Sequence, residues 1–338
     1  MNHPSITVAV PAYNRTRELE ELLQSFLEAS VLPDELLVSE DQSAERPQIR
    51  DLVAQYVPRL AERGCSLRLI ENATNLGYDG NVRSAIENSA SDWVMLLGND
   101  DVIAKNGIEF AQEFISSHPD VQMVSRTFYR FVDDWHSPIG VSRAHSQDGV
   151  FSQLNASPAV AFRLCGFVGG LIVNRAWATS LATTAYDGTL YYQLYLAFHA
   201  YCESGIGYIS RVVVGGRTGN IPLFGTAAAE KALHLPGSYR PKARAHMWAS
   251  VLRIANDIGQ LKRTSLQDAV RHELDSRQSF HVFEMMATSP RSTLLELRDE
   301  LRRVGLQRSL QARLFFSINY ALGKHARHFY TAARRLLQ

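Results

Sequence analysis

Apolar positions in the first hundred residues alternate between short solid runs and stripes of helical period. The runs at 6–10, 35–39, 67–70 and 93–97 have the length and content of strands covered on both faces. Between the first two, Leu19, Leu22, Leu23, Phe26 and Leu27 fall at i, i+3, i+4, i+7 and i+8 and make one helical stripe. Ile49, Leu52, Val53, Tyr56, Val57 and Leu60 line a second helix that stops at Gly64, and a shorter one centres on Val82, Ala85 and Ile86. This alternation predicts an α/β fold with a mostly parallel central sheet under helices. A helix at 108–117 and a strand at 121–131 continue it, whereas 132–157 is polar and aperiodic and reads as a long functional loop. A strand at 167–173, helices at 175–184 and 190–202 and a strand at 208–214 follow. From residue 240 only helical periodicity is left, broken near 259–264, at Ser289-Pro290, at Gly305 and at Gly323. The expected division is a domain at 1–230 and an α-helical C-terminal region at 231–338.

Composition narrows the chemistry by exclusion. With 35 Lys+Arg against 34 Asp+Glu in 338 residues the net charge is +1, which excludes nucleic-acid binding driven by overall charge. Cys65, Cys165 and Cys202 are odd in number and far apart, so they form neither a disulfide framework nor a CxxC metal site, and a reducing compartment fits. No apolar stretch reaches the roughly 18 residues of a membrane span, and the start MNHPSITVAVPAYNR lacks the basic region of a secretory signal. The expectation is a cytoplasmic protein. The first glycine is Gly64, so no GxGxxG follows the first strand, and Ile318 occupies the place where a P-loop ending in Gly323-Lys324 needs glycine. HExxH and GxSxG are missing as well.

Carboxylates at strand ends are what remain. In an open α/β sheet ligands bind beyond the carboxyl ends of the strands, and here those ends carry Pro11-Ala12-Tyr13-Asn14-Arg15, Glu40-Asp41-Gln42-Ser43 and Asn99-Asp100-Asp101. Neighbouring carboxylates such as Asp100 and Asp101 repel unless a cation or hydrogen-bond donors intervene. A hard cation, Mg²⁺ or Mn²⁺, suits them, because it takes one or two protein carboxylates and completes its shell with substrate phosphates and water. The same pair also reads as a cap on the following helix.

Taken in order, VAVPAYNR, VSEDQS, NLGYDGN and WVMLLGNDD resemble the inverting family 2 glycosyltransferases of GT-A fold. Those enzymes show a P-x-YN-R first turn, an acidic pair after strand two, N-x-G-x-x-x-N before the third helix and a DxD-like motif ending strand four. The resemblance covers roughly residues 4 to 131. The NxG and GNDD segments are also similar to sugar transferases of bacterial polysaccharide and O-antigen assembly, including the abequosyltransferase-like branch.

This resemblance implies a nucleoside-diphosphate sugar donor and transfer of its sugar to a hydroxyl of a glycan acceptor. Asp41 is then expected on the nucleotide base, with Pro11, Tyr13 and Arg15 in the same pocket. Asn75, Gly77 and Asn81 supply the NxGxxxN motif. Asp100 is expected at the ribose or metal, and Asp101 on the Mg²⁺ or Mn²⁺ that bridges the diphosphate. Two positions depart from the family pattern: Glu40-Asp41 stands where Asp-Asp is usual, and Asn99 takes the first place of a strict DxD.

An inverting transfer needs a general base for the acceptor hydroxyl, which the resemblance places some 80 to 100 residues after the acidic motif. Asp187 lies at that distance, and it reads equally as a turn residue before Gly188. Glu203, His199, Asp133 and Asp134 are the other candidates. The glycines of 167–170 read as a close approach to the sugar or as a strand bulge, and the loop at 215–219 as a cover for the diphosphate, with Arg217 supplying charge. Residues 313–338 hold five basic and no acidic residues together with Phe315, Phe316, Tyr320, Phe329 and Tyr330. That composition suits an amphipathic helix on anionic lipid, on the inner face of the plasma membrane, where a polyprenyl-diphosphate-linked acceptor would lie. A packed or homo-oligomeric contact is the other use of such a face. Two further functions fit the same sheet: a noncatalytic nucleotide-sugar scaffold and, against the missing glycine-rich loop, a sugar nucleotidyltransferase.

Overall fold

Solid apolar runs need cover on both faces, and the central sheet gives them that. The structure, a computed structural model, describes residues 3–237 and 240–337, and at 333–337 the backbone alone. Strands β1 (Ile6–Ala12), β2 (Glu35–Glu40), β3 (Ser66–Glu71) and β4 (Trp93–Leu96) lie parallel in the order β3-β2-β1-β4. Helices α1 (Thr16–Glu28), α2 (Arg46–Ala61) and α3 (Gly77–Asn88) make the crossovers. Helix α1 fully buries Leu19, Leu22, Leu23 and Phe26, each contributing about 1.5–3 kcal/mol relative to exposure. Pro58 sits in the last turn of α2, where the helix is about to end, and the Cys65 amide closes that end on the Leu60 carbonyl at 3.0 Å.

The chain continues through β5 (Val102–Ile103), α4 (Gly107–Ser117), β6 (Met123–Phe131), β7 (Gly140–Ser142), β8 (Gly149–Phe151), α5 (Ala159–Cys165), β9 (Leu171–Asn174), α6 (Arg175–Ser180), α7 (Tyr192–Glu203) and β10 (Ile206–Arg217). The full path is β3-β2-β1-β4-β9-β6-β10-β5, with β7 on β6 and β8 on β10. The long ladders are parallel, including β6 with β10, and β9 enters antiparallel between β4 and β6. From β1 the chain steps outward to β2 and β3, then returns to place β4 on the other side of β1. The crevice between the carboxyl ends of β1 and β4 is therefore a topological switch point, where sheets of this kind bind ligands.

Four local expectations are revised. The segment 132–157 contains β7 and β8, each three residues long and too short for a period-2 pattern to register. The strand expected at 167–173 begins only at Leu171, because 167–170 turn against the acidic motif. The strand expected at 208–214 reaches Arg217, with register shifts between Ile209 and Val214. Helix α5 and the two-residue β5 escaped the pattern altogether.

The chain divides into two compact units, Met1–Ala232 and Leu233–Gln338. The second holds α8 (Pro241–Lys262), α9 (Gln267–Asp275), α10 (Ser279–Met285), α11 (Arg291–Arg303), α12 (Leu310–Leu322), a 3₁₀ turn at Gly323–His325 and α13 (Ala326–Leu337). Within it the Asp275 carboxylate accepts the amides of Gln307, Arg308 and Ser309 ahead of α12. Phe280 meets the rings of Phe315 and Tyr330 edge-on. Phe280, Phe315 and Tyr330 thus serve the unit's own core, and the large apolar side chains left outward on α12 are Leu310, Leu314, Tyr320 and Leu322, at 80%, 56%, 38% and 45% exposure. Arg334, Arg335 and Gln338, part of the basic segment, lie outside the described side chains. Among the described residues no helix is long and apolar enough to cross a membrane.

Asp79 ties α3 to the start of α7. Its buried carboxylate accepts the Leu190 amide at 2.8 Å and the Tyr192 amide at 2.9 Å. Burial pushes this carboxyl up to about 7, against the two amides, which favour the charged form. A carboxyl raised by folding stabilises the fold fully below its unfolded value of about 4 and loses that contribution as pH climbs through the folded value. The urea midpoint should accordingly fall between pH 5 and pH 8, and fall less in Asp79→Asn; parallel curves would remove Asp79 as the source.

Candidate active site

The end of β1 turns sharply, with Asn14 and Arg15 both in the left-handed region at φ 54° and 64°. That turn swings Arg15 across the crevice, where Nη1 donates to Asp100 Oδ2 at 2.6 Å and Nη2 to the Ile221 carbonyl at 2.6 Å. At the end of β2, Glu40 is fully buried, accepts the Ser43 amide at 2.6 Å and pairs with Arg46. This holds the turn that presents Asp41. The Asp41 carboxylate accepts the amides of Leu76 and Gly77 and the Asn72 side chain, all at 2.9 Å. Burial raises its pKa, the three donors opposing and neighbouring Glu40 assisting. Asn75 donates to Thr226 Oγ1 at 3.0 Å, and Asn81 ties α3 to the Ser39 carbonyl at 2.9 Å.

At the end of β4, Asn99 is turned away from its neighbours, donating to the Asn14 carbonyl at 2.9 Å. Asp101 is 4% exposed, and burial, then the charge of Asp100, hold its carboxyl well above the usual range. Its Oδ1 accepts the Arg217 amide at 3.0 Å, and the buried Arg126 guanidinium, itself lowered to about 10 by burial, partly offsets the acidic charge. Among the described residues Asp100 Oδ1 and Asp101 Oδ2 accept no hydrogen bond, and both border the space a Cβ on Gly98 would fill, at 3.1 and 2.9 Å. A Cβ on Gly169 would stand 2.3 Å from Asp101 Oδ2, so glycine is required there for close approach to the acid. Among the described residues no group of three or more His, Cys, Asp or Glu is placed to hold a metal. Two free oxygens on a pair of mutually repelling carboxylates fit a hard cation that draws its other ligands from elsewhere.

These groups surround one cavity of about 280 Å³ at the switch point, and Pro11, Tyr13, Arg15, Asp41, Asn75, Gly77, Asn81, Asp100 and Asp101 all line it. Phe167 and Val168, from the segment 167–170 expected near the sugar, line the cavity too, whereas sequence reasoning missed Leu223, Phe224, Thr226 and Glu230. Asn72 was visible beside the NxG motif, whereas Glu230 lies in an alanine-rich stretch with no local signature.

The geometry sets the candidate bases apart from the cavity. Asp187 does not line the cavity; its oxygens accept from Arg83 Nη1 at 2.6 Å and Nη2 at 3.0 Å, a bidentate pair that anchors its turn. Glu203 accepts the Trp177 indole and contacts buried His199, and the Asp134 carboxylate accepts from Ser137 and the His136 amide. None of these, nor Asp133, reaches the cavity. Arg217 does line the cavity, and its amide donates to Asp101. It ends β10, and its guanidinium is spent on the Asp100, Val132 and Asp133 carbonyls and the Glu21 carboxylate, leaving the side chain 6% exposed.

Residues 7–165 match the family model described as Glycosyl transferase family 2. Among curated proteins the chain is 24% identical over 238 residues to the abequosyltransferase RfbV of Salmonella typhimurium, covering 62% of this chain and 65% of that one. It is 24% identical over 119 residues to an uncharacterized glycosyltransferase of Haemophilus influenzae, covering 35% of this chain and 37% of that one. The chain thus spans less than two thirds of either relative. Among solved structures, Staphylococcus aureus TarS 1–349 in complex with UDP aligns with TM-score 0.57 at 15% identity, over 97% of this chain and 92% of that one. The mannosyltransferase PcManGT of Pyrobaculum calidifontis, in complex with GDP-Man and Mn²⁺, aligns with TM-score 0.54 at 15% identity, over 98% and 84%. The fold is that of the GT-A glycosyltransferases, and the match to the Glycosyl transferase family 2 model covers residues 7–165, a little under half of the chain.

Proposed function

We propose that this chain transfers a sugar, with inversion, from a nucleoside-diphosphate donor to a hydroxyl of a glycan acceptor. The observation that carries the reading is the convergence of three strand-end clusters on one cavity at the switch point. Pro11, Tyr13, Arg15 and the Asp41 turn form the nucleotide end, with Asn75, Gly77 and Asn81 bracing it from α3. Asp100 and Asp101 form the diphosphate end and hold Mg²⁺ or Mn²⁺, which when bound offsets charge on the departing diphosphate. The Mn²⁺ and GDP-Man bound to the mannosyltransferase and the UDP bound to TarS support this reading. Arg15 holds the Asp100 carboxylate in place, and Phe167 and Val168 narrow water access to the sugar end. The similarity to an abequosyltransferase supports a deoxyhexosyl or hexosyl transfer in surface-polysaccharide assembly. For a polyprenyl-diphosphate-linked acceptor, the basic residues of 313–338 and the outward leucines of α12 would meet anionic lipid at the inner face of the plasma membrane.

Calorimetric titration of the full chain with UDP, GDP, CDP and dTDP, with and without Mn²⁺, checks the assignment. One nucleotide should bind, more tightly with the metal, and Asp101→Ala should abolish the metal effect while the fold survives. Binding with no metal coupling would leave a scaffold. Loss of one charged hydrogen-bond partner in Asp41→Ala should weaken nucleotide binding by about 1–3 kcal/mol.

The Arg83 pair makes a different prediction for Asp187. Asp187→Asn should lower the unfolding free energy by about 1–3 kcal/mol in urea and leave nucleotide affinity unchanged. A roughly 100-fold fall in turnover with stability intact would restore Asp187 as the base. For the membrane reading, co-sedimentation with anionic vesicles should be strong at low salt, fall as NaCl is added and be lost on deleting 313–338; no binding at low salt would assign the segment to packing.

A further inference from the structure

Residues 218–232 follow β10 without forming a helix or a strand, yet Leu223, Phe224 and Thr226 from this segment make one side of the cavity. Its own backbone gives that wall little to stand on. Three of its ties to the rest of the site are single bonds at exposed positions: Arg15 to the Ile221 carbonyl at 2.6 Å, Asn220 to Asp100 Oδ2 at 2.7 Å, and Asn75 to Thr226 at 3.0 Å. Each involves a side chain assigned above to the donor, so the donor competes with all three.

Glu230 is different in kind. Its carboxylate is 2% exposed; Oε1 accepts the Tyr78 amide of α3 at 2.7 Å, and Oε2 accepts the Gly225 amide of the segment itself at 2.7 Å. A buried carboxylate is tolerable only while its oxygens are supplied with donors, so withdrawing either strand of this contact leaves a desolvated charge. Gly77 completes the arrangement. Its φ of +75° suits glycine, and a Cβ there would lie 2.6 Å from Glu230 Oε1 and 2.9 Å from the Ala227 Cβ. The first turn of α3 has no side-chain cap of its own at Leu76, and its amides donate to Asp41, Asn75 and Glu230. One end of α3 is thereby fastened both to β2 and to the segment after β10.

We propose that Glu230 is a positioning residue that latches 218–232 onto the first turn of α3 and so builds the apolar wall against which the nucleoside diphosphate is held. This rests on the donor reading of the cavity. The latch persists when donor displaces the three exposed ties, because neither of its amides belongs to a side chain that the donor engages.

The test uses the full chain and two readouts, hydrogen exchange of peptides from 218–232 and titration with the four nucleoside diphosphates in Mn²⁺. Glu230→Ala should speed exchange in that segment and raise the dissociation constant of the tightest nucleotide about tenfold or more, with the thermal midpoint close to that of the wild type. Glu230→Gln should fall between, since one amide keeps an acceptor while the other faces an NH₂ group; it also remains readable should the alanine variant fold poorly. Gly77→Ala should reproduce the Glu230→Ala effect, and the double variant should be no worse than either alone, the signature of one shared contact. Unchanged exchange in Glu230→Ala overturns the latch, and faster exchange with unchanged nucleotide affinity overturns its role in holding donor. A wild-type chain that binds none of the four nucleotides sinks the donor reading instead.

Discussion

Two adjacent carboxylates at the buried end of a strand are an electrostatic liability, and much of this site consists of what restrains them. Asp100 and Asp101 cannot both be ionised in a poorly solvated crevice unless positive charge or oriented donors come close. Here the charge comes from Arg15, in a turn after β1, and from Arg126 on β6, while donors come from Asn220 and the Arg217 amide after and at the end of β10. Three distant stretches of sequence, at 15, 126 and 217–220, therefore converge on the acid pair, and the parallel order that puts β1 beside β4 lets the first of them arrive. Among the described residues, one oxygen of each carboxylate accepts no hydrogen bond, and the proposed cation would be the group to meet them.

What could be read from the sequence follows from how local each signal is. The stripe from Leu19 to Leu27 and the buried runs of β1, β2 and β4 announce themselves, since periodicity is written in neighbouring residues. Pro11 through Arg15, Asp41 and Asp100-Asp101 were legible for a related reason: each follows a readable strand, and strand ends gather on one edge. The three-residue β7 and β8 were not, and β9 was readable as a strand but not in its antiparallel sense, because pairing is set by partners far along the chain. Asp187 shows the limit of arguing from distance in sequence. Its separation from the acidic motif suited a base, but its true neighbour is Arg83, on a helix over a hundred residues earlier. Glu230 had no signal at all, as its chemistry depends wholly on the amides of Tyr78 and Gly225.

The contrast between the two units is one of construction. In the first, polar groups cluster at the carboxyl edge of the sheet and the interior mixes aliphatic side chains with buried rings such as Phe26, Phe114 and Phe131. In the second, short helices meet through aromatic edges around Phe280 and through the amide cradle of Asp275. A helix set of that kind tolerates change on its outer face, where α12 carries exposed leucines, far better than the sheet tolerates change beside β4.

The consecutive left-handed residues Asn14 and Arg15 bear on how this sequence can evolve. A bulky residue at positive φ is strained, by an amount on the order of 1 kcal/mol or more, and replacing Arg15 with glycine would relieve it. That gain is closed to the lineage as long as Asp100 must be neutralised, because the strained residue is also the one that carries the guanidinium. Position 15 is thus a point where selection for thermostability and selection for the site pull in opposite directions. Stabilising drift in this protein is expected to accumulate elsewhere, in the helices and on the outer faces, and to leave the turn after β1 as costly as it is.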